Sequence, residues 1–127
     1  MKNIIQQYLQ ALESGDEEKI TRLFADNAIV YSPLYGEVQA NHFFKGLFAD
    51  TSRSEITLLN TFSSLDNPET CAAQFRYDWT LKNGTETNFD CVDIFQFDDQ
   101  DKIKSLTIIY DTYKIRGKFE DLDVAPI

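Results

Sequence analysis

From Ile56 onward the chain offers strand-length segments separated by turn signals, and nothing that reads as helix. Ile56 to Leu65 stops at Asp66-Asn67-Pro68. Cys71 to Leu81 stops at Asn83-Gly84, the strongest short hairpin signal. Thr85 to Phe97 stops at Asp98-Asp99-Gln100-Asp101, and Ile103 to Tyr113 is the last long strand. Strands joined by tight turns run antiparallel, because a parallel return needs a crossover of about a dozen residues or more. The second half is therefore an antiparallel meander.

The first half carries helical spacing instead. Asn3 is placed to cap a helix, with Gln6 three residues on. Ile4, Tyr8 and Leu12 recur at i+4, Ile5 and Leu9 widen the stripe, and Ser14-Gly15 ends it. Asp16 caps a second helix, Glu17 and Glu18 suit its positive end, and Ile20, Leu23 and Phe24 form its buried stripe. Ala28 to Ser32 reads as a short strand stopped by Pro33, and Leu34 to Glu37 as a turn. A third helix runs over Gln39 to Asp50 with Phe43, Phe44, Leu47 and Phe48 inward, weakened by Gly46. Helices first and strands after indicate one α+β domain over residues 1–127. A sheet curved around three helices leaves a cone-shaped cavity, a natural ligand pocket.

Lys and Arg total 12 against 21 Asp and Glu, a net charge of -9. That balance opposes nucleic-acid backbones and anionic membranes. No apolar run is long enough to span a bilayer, and Met1-Lys2-Asn3-Ile4 turns polar too soon for a signal peptide. A cytoplasmic protein with a hydrophobic small-molecule ligand is expected. Cys71 and Cys91 read as reduced apolar fillers. His42 is the lone histidine, with no cysteine cluster beside it. The acidic turn at Asp98 to Asp101 lacks calcium-loop spacing, and no Gly-rich phosphate loop occurs. Neither metal nor organic cofactor is expected.

One residue breaks the apolar pattern. Phe89, Cys91, Asp93, Phe95 and Phe97 share a strand face, so a carboxyl sits in a greasy row. Burying an ionised carboxylate is costly, so such a group is paired, neutralised or kept for chemistry. Asp93 is then either a neutral acid donating to a ligand oxygen or a structural carboxyl bonded to a buried donor. On the preceding strand Phe75, Tyr77, Trp79 and Leu81 alternate with Arg76, Asp78 and Thr80. The aromatic face divides between core and pocket lining, and the Trp79 indole N–H gives it a polar handle for a ligand.

Three stretches resemble the nuclear transport factor 2-like superfamily, which includes ketosteroid isomerases, limonene epoxide hydrolases and SnoaL-like domains. They are Tyr8 to Asp16 with Leu23-Phe24-Ala25-Asp26-Asn27-Ala28, then Val92 to Phe97, then Lys102-Ile103 through Tyr110-Asp111. The resemblance implies the cone-shaped fold, with three N-terminal helices packed on a curved antiparallel sheet. It also implies a ketosteroid isomerase-like donor pair: Tyr8 as the phenol and Asp93 as the protonated acid, both aimed at a substrate carbonyl. The chain would then be a cofactor-independent isomerase or cyclase acting on an enolisable carbonyl compound. The family's base position is Ser32, and a serine hydroxyl is no base near neutral pH without an activating partner. Glu37 is the nearby carboxylate, and a solvated surface acid is the plainer reading of it. The same departure supports the alternative of a non-catalytic ligand-binding or dimerisation module. Arg76-Tyr77-Asp78 resembles the epoxide hydrolase Arg-x-Asp strand, but the second aspartate of that set falls at Ile108. Alignment points Leu106, Ile108 and Tyr110 into the cavity beside Phe95, Tyr77 and Trp79, with Tyr31 and Ser32 at its mouth. Relatives often dimerise through the outer sheet face, so a homodimer is expected.

Overall fold

Gly15, at φ +68°, turns the chain sharply out of the first helix, and the side chain of Asp16 accepts the Lys19 N–H at 3.0 Å to start the second. The computed structural model describes residues 2–120. Its helices are α1 (Lys2–Ser14), α2 (Glu17–Thr21), α3 (Ala40–Ala49) and α4 (Arg116–Glu120). Its strands are β1 (Phe24–Ser32), β2 (Gly36–Gln39), β3 (Thr51–Ser63), β4 (Thr70–Leu81), β5 (Glu86–Phe97) and β6 (Ile103–Ile109). This is the α+β architecture expected, with the three N-terminal helices and a curved, unclosed sheet. No helix among the described residues is long and apolar enough to cross a membrane.

The strand order is β2-β1-β6-β5-β4-β3. From β3 to β6 the strands form the antiparallel meander. β1 joins β6 in parallel, with Val30 opposite Leu106 and Tyr31 opposite Thr107, so the sheet is mixed. The parallel pair is permitted because α3 and four strands separate β1 from β6, a connection long enough to return the chain. Register shifts at Thr51/Arg53, Leu58/Asn60 and Gln96/Phe97 mark the irregular points of the meander, where strands bend and twist.

Several local expectations are corrected. α1 begins at Lys2, so Asn3 lies inside it rather than capping it. α2 stops at Thr21, and Phe24 opens β1 instead of extending the helix stripe. Gly36 to Gln39 is a strand hairpinned onto β1, because Gly36 at φ +79° makes the return that a turn alone would not. β6 ends at Ile109, well short of Tyr113. There Asp111 Oδ1 accepts the Tyr113 N–H at 2.9 Å, a local turn that competes with the ladder, and α4 follows.

Alternation decides what the sheet covers. Phe75, Tyr77, Trp79 and Leu81 of β4 and Cys91, Phe95 and Phe97 of β5 are buried on the concave face against α1 and α3. Tyr8 stands edge-on to Phe24, Phe44 and Phe95 with ring centroids 5.2–6.1 Å away. Fully burying side chains of this size stabilises by about 1.5–3 kcal/mol each. That aromatic floor closes the narrow end of the cone, and the cavity opens above it.

Candidate functional site

β5 sets Cys91 and Asp93 on the same concave row, and α1 lowers Tyr8 onto them. Asp93 is 1% exposed, and among the described residues no Lys or Arg forms an ion pair with it. The Cys91 thiol donates to Asp93 Oδ1 at 3.1 Å. Burial pushes the Asp93 carboxyl up from 3.8 to about 7, while hydrogen bonds from Cys91 and Tyr8 draw it back. Burial, then the neighbouring Asp93 charge, hold the Tyr8 phenol and the Cys91 thiol above their ordinary ranges. Near neutral pH this floor therefore holds a neutral phenol, a neutral thiol and a carboxyl that keeps its proton over much of the population.

Aromatic walls rise from the floor. Phe75, Tyr77 and Trp79 come from β4, Phe89 from β5, and Ile108 and Tyr110 from the end of β6. Leu12 of α1 and Phe43 and Leu47 of α3 close the opposite side, with Ser32 and Tyr35 at the mouth. About 40 Å³ inside is open to the centre of a water molecule. That is room for roughly three waters. Phe119 of α4 packs against two of the lining rings, 5.1 Å from Tyr35 and 6.4 Å from Trp79.

Most polar groups on these walls are already tied down. Tyr77 hydroxyl shares a hydrogen bond with Ser54 at 2.7 Å. Tyr35 donates to Asp50 Oδ2 at 2.7 Å, and Asp50 is in turn 3.4 Å from the Lys82 ammonium. Trp79 Nε1 donates to Thr51 at 2.9 Å, so its indole face rather than its N–H meets the cavity. Ser32 Oγ accepts the N–H groups of Leu34 and Tyr35 at 3.3 and 3.2 Å, holding the turn that presents Tyr35.

Of the residues singled out by sequence, Tyr8, Asp93, Ser32, Tyr77, Trp79, Ile108 and Tyr110 line this cavity. Phe95 and Leu106 pair with each other one row below Asp93, fully buried in the core. Tyr31 points to the outer sheet face and is 42% exposed. Glu37 sits opposite Tyr31 on β2, exposed and outside the cavity wall. Arg76 and Asp78 pair with each other on the outer face, 3.1 Å apart, so the epoxide hydrolase-like pair never reaches the pocket. Sequence reasoning missed Tyr35, Phe43, Leu47 and Leu12 as lining, and read Cys91 as filler. Cys91 was findable as the i−2 neighbour of Asp93; Tyr35 carried no local signal. Among the described residues no three His, Cys, Asp or Glu side chains gather as a metal site, and His42 is exposed.

None of the curated proteins matches the sequence. Solved structures do match in fold. An epoxide hydrolase/cyclase-like enzyme, SalBIII, of pyran ring formation in the polyether salinomycin superposes with TM-score 0.74 at 21% identity, over 88% of this chain and 91% of that one. The delta 5-3-ketosteroid isomerase of Mycobacterium sp. gives TM-score 0.71 at 24% identity, covering 87% and 92%. A Mycobacterium tuberculosis protein solved in complex with estradiol-17beta-hemisuccinate gives 0.71 at 18% identity, covering 85% and 91%. The profile of the SnoaL-like domain matches residues 5–106, taking in Tyr8, Asp93 and the whole meander up to mid β6. The chain belongs to the SnoaL-like domain family, within the nuclear transport factor 2-like fold.

Proposed function

We propose that the chain binds a hydrophobic small molecule in this cavity, with one ligand oxygen held between the Tyr8 phenol and the protonated Asp93 carboxyl. We further propose that it promotes isomerisation or cyclisation of an enolisable carbonyl compound. The observation that carries this reading is Asp93: a carboxyl at the bottom of an apolar cavity, paired with no cation among the described residues, with its pKa lifted to about 7. A neutral acid donates where a carboxylate only accepts. As a carbonyl becomes an enolate, charge grows on the oxygen facing both donors, and preorganised donors in a dry site stabilise that charge. The proton leaving carbon passes to cavity water or to a basic group on the ligand. Similarity to a ketosteroid isomerase, a cyclase-like enzyme and a steroid-ester complex supports the ligand class.

A second reading is favoured by Ser32. Its oxygen is occupied by two turn amides, and among the described residues Asp93 is the only carboxyl on the cavity wall. A chain with donors and no base binds without turnover. Association with a second copy belongs to either reading. The outer sheet face carries a cross-strand row of Phe62, Ala72, Ile94, Thr107 and Tyr31, with Val92 and Ile109 beside it. Phe62 and Ile109 are 51% and 50% exposed there, an apolar face suited to a homodimer.

Two measurements test this. Asp93→Asn and Tyr8→Phe should each weaken binding of phenol, a mimic of the enolate, by about tenfold. Solvent deuterium entering a bound ketone at a protein-dependent rate favours the enzyme. Binding with no exchange favours the non-catalytic module, and binding indifferent to both substitutions removes the donor pair altogether.

A further inference from the structure

Tyr110 is the exception to the saturated wall. It lines the cavity, yet among the described residues nothing hydrogen-bonds its hydroxyl, whereas Tyr35, Tyr77, Trp79 and Ser32 all have partners. Its ring is fixed. It stacks on Phe89 with centroids 4.1 Å apart and planes 15° from parallel. Its place above the floor follows from register. Asp93 pairs with Ile108 and Val92 with Ile109, so the next step of the same ladder brings Tyr110 beside Cys91. Diagonal neighbours two residues along paired strands lie about 7–8 Å apart at Cα. The Tyr110 phenol thus stands one row above the donor pair, on the same wall and facing the same space.

The Tyr110 hydroxyl is not sealed from water, so a ligand that displaces that water without replacing its hydrogen bond loses affinity. The neighbouring side chains do not compensate it: Phe89 offers a ring face, Cys91 spends its proton on Asp93, and Tyr77 is held by Ser54. A bound molecule with a polar atom at that height would.

We propose that Tyr110 is a specificity-determining contact whose phenol engages a second oxygen of the ligand, so that the preferred ligands are dioxygenated: a carbonyl or enol at Tyr8 and Asp93, and a hydroxyl or carbonyl on the same ring or short chain at Tyr110. This rests on the reading of the floor given above. A phenol both donates and accepts, so either oxygen type satisfies it. A compound with one oxygen leaves Tyr110 unpaired and loses the difference.

The test compares phenol, resorcinol and hydroquinone on the full chain by calorimetry, in wild type and in Tyr110→Phe, which keeps the stack on Phe89 and removes only the oxygen. At least one diol should bind wild type about 3- to 10-fold more tightly than phenol, the worth of one neutral hydrogen bond. In Tyr110→Phe that advantage should vanish. An advantage that survives in Tyr110→Phe overturns the inference, as does equal affinity for all three in wild type. Asp93→Asn separates the two levels. If it leaves phenol affinity unchanged, the floor reading fails on its own, whereas a persisting diol advantage in Tyr110→Phe strikes Tyr110 alone. Phenol that does not bind wild type at all removes both.

Discussion

Asp93→Asn should remove a pH dependence from folding whose sign is fixed by burial. The folded carboxyl keeps its proton up to about 7, and the unfolded one releases it near 3.8. Between those values the folded state binds more protons, so raising the pH favours unfolding. The stabilising contribution is complete below the unfolded pKa and is lost as pH climbs through the folded one. A gap of about three units at 1.36 kcal/mol each amounts to about 4 kcal/mol. Asparagine is nearly isosteric and does not titrate. The stability of the variant minus that of wild type should therefore rise by about 4 kcal/mol between pH 4 and pH 8, whatever constant offset the amide adds. The other carboxylates titrate in both proteins and cancel in the difference. Urea unfolding of both, followed by fluorescence of the single tryptophan, Trp79, at half-unit pH steps gives the curve. A flat difference would mean that Asp93 is ionised alike in both states. The neutral donor, and every functional statement built on it, would then be refuted.

Ligand binding should follow the same proton: affinity for a neutral ketone should fall as pH rises through about 7, and calorimetry that finds it level from 6 to 9 contradicts the donor role. Phe119→Ala should uncover the Tyr35 and Trp79 edge, quicken ligand association in stopped-flow fluorescence and cost about 1–3 kcal/mol of stability. Ser32→Ala should lose the turn cap on the Leu34 and Tyr35 amides, worth roughly 1 kcal/mol in chemical denaturation, yet leave any deuterium exchange rate intact. Ile94→Lys, in the middle of the outer-face row, should shift sedimentation towards the monomer; an unchanged sedimentation coefficient argues against association through that face.

The period-two pattern made the concave face legible. Phe75, Tyr77, Trp79 and Asp93 could be assigned to it because a strand leaves each side chain only two directions. The same rule set Arg76 and Asp78 on the opposite face, where the structure pairs them with each other. Boundaries were less legible where a short polar side chain or a glycine redirects the backbone locally: Asp111 ends β6 early, and Gly36 converts a turn into a hairpin. Alternation says which way a residue points, but not how far along the cone it lies. Phe95 and Leu106 therefore looked like lining and are floor.

What sequence could not supply was the pairing of polar groups across the fold. Whether a wall hydroxyl is available to a ligand depends on partners set by tertiary structure. Tyr35 finds Asp50 from 15 positions away, Tyr77 finds Ser54 from 23 and Trp79 finds Thr51 from 28. Read singly, Tyr77 was as good a ligand contact as Tyr110, and the Trp79 indole N–H looked better. Among the described residues, subtracting those partners leaves the Tyr110 phenol above the Tyr8 and Asp93 floor. Selectivity at this site therefore depends on which polar groups the fold has left unspent, more than on which ones its sequence contains.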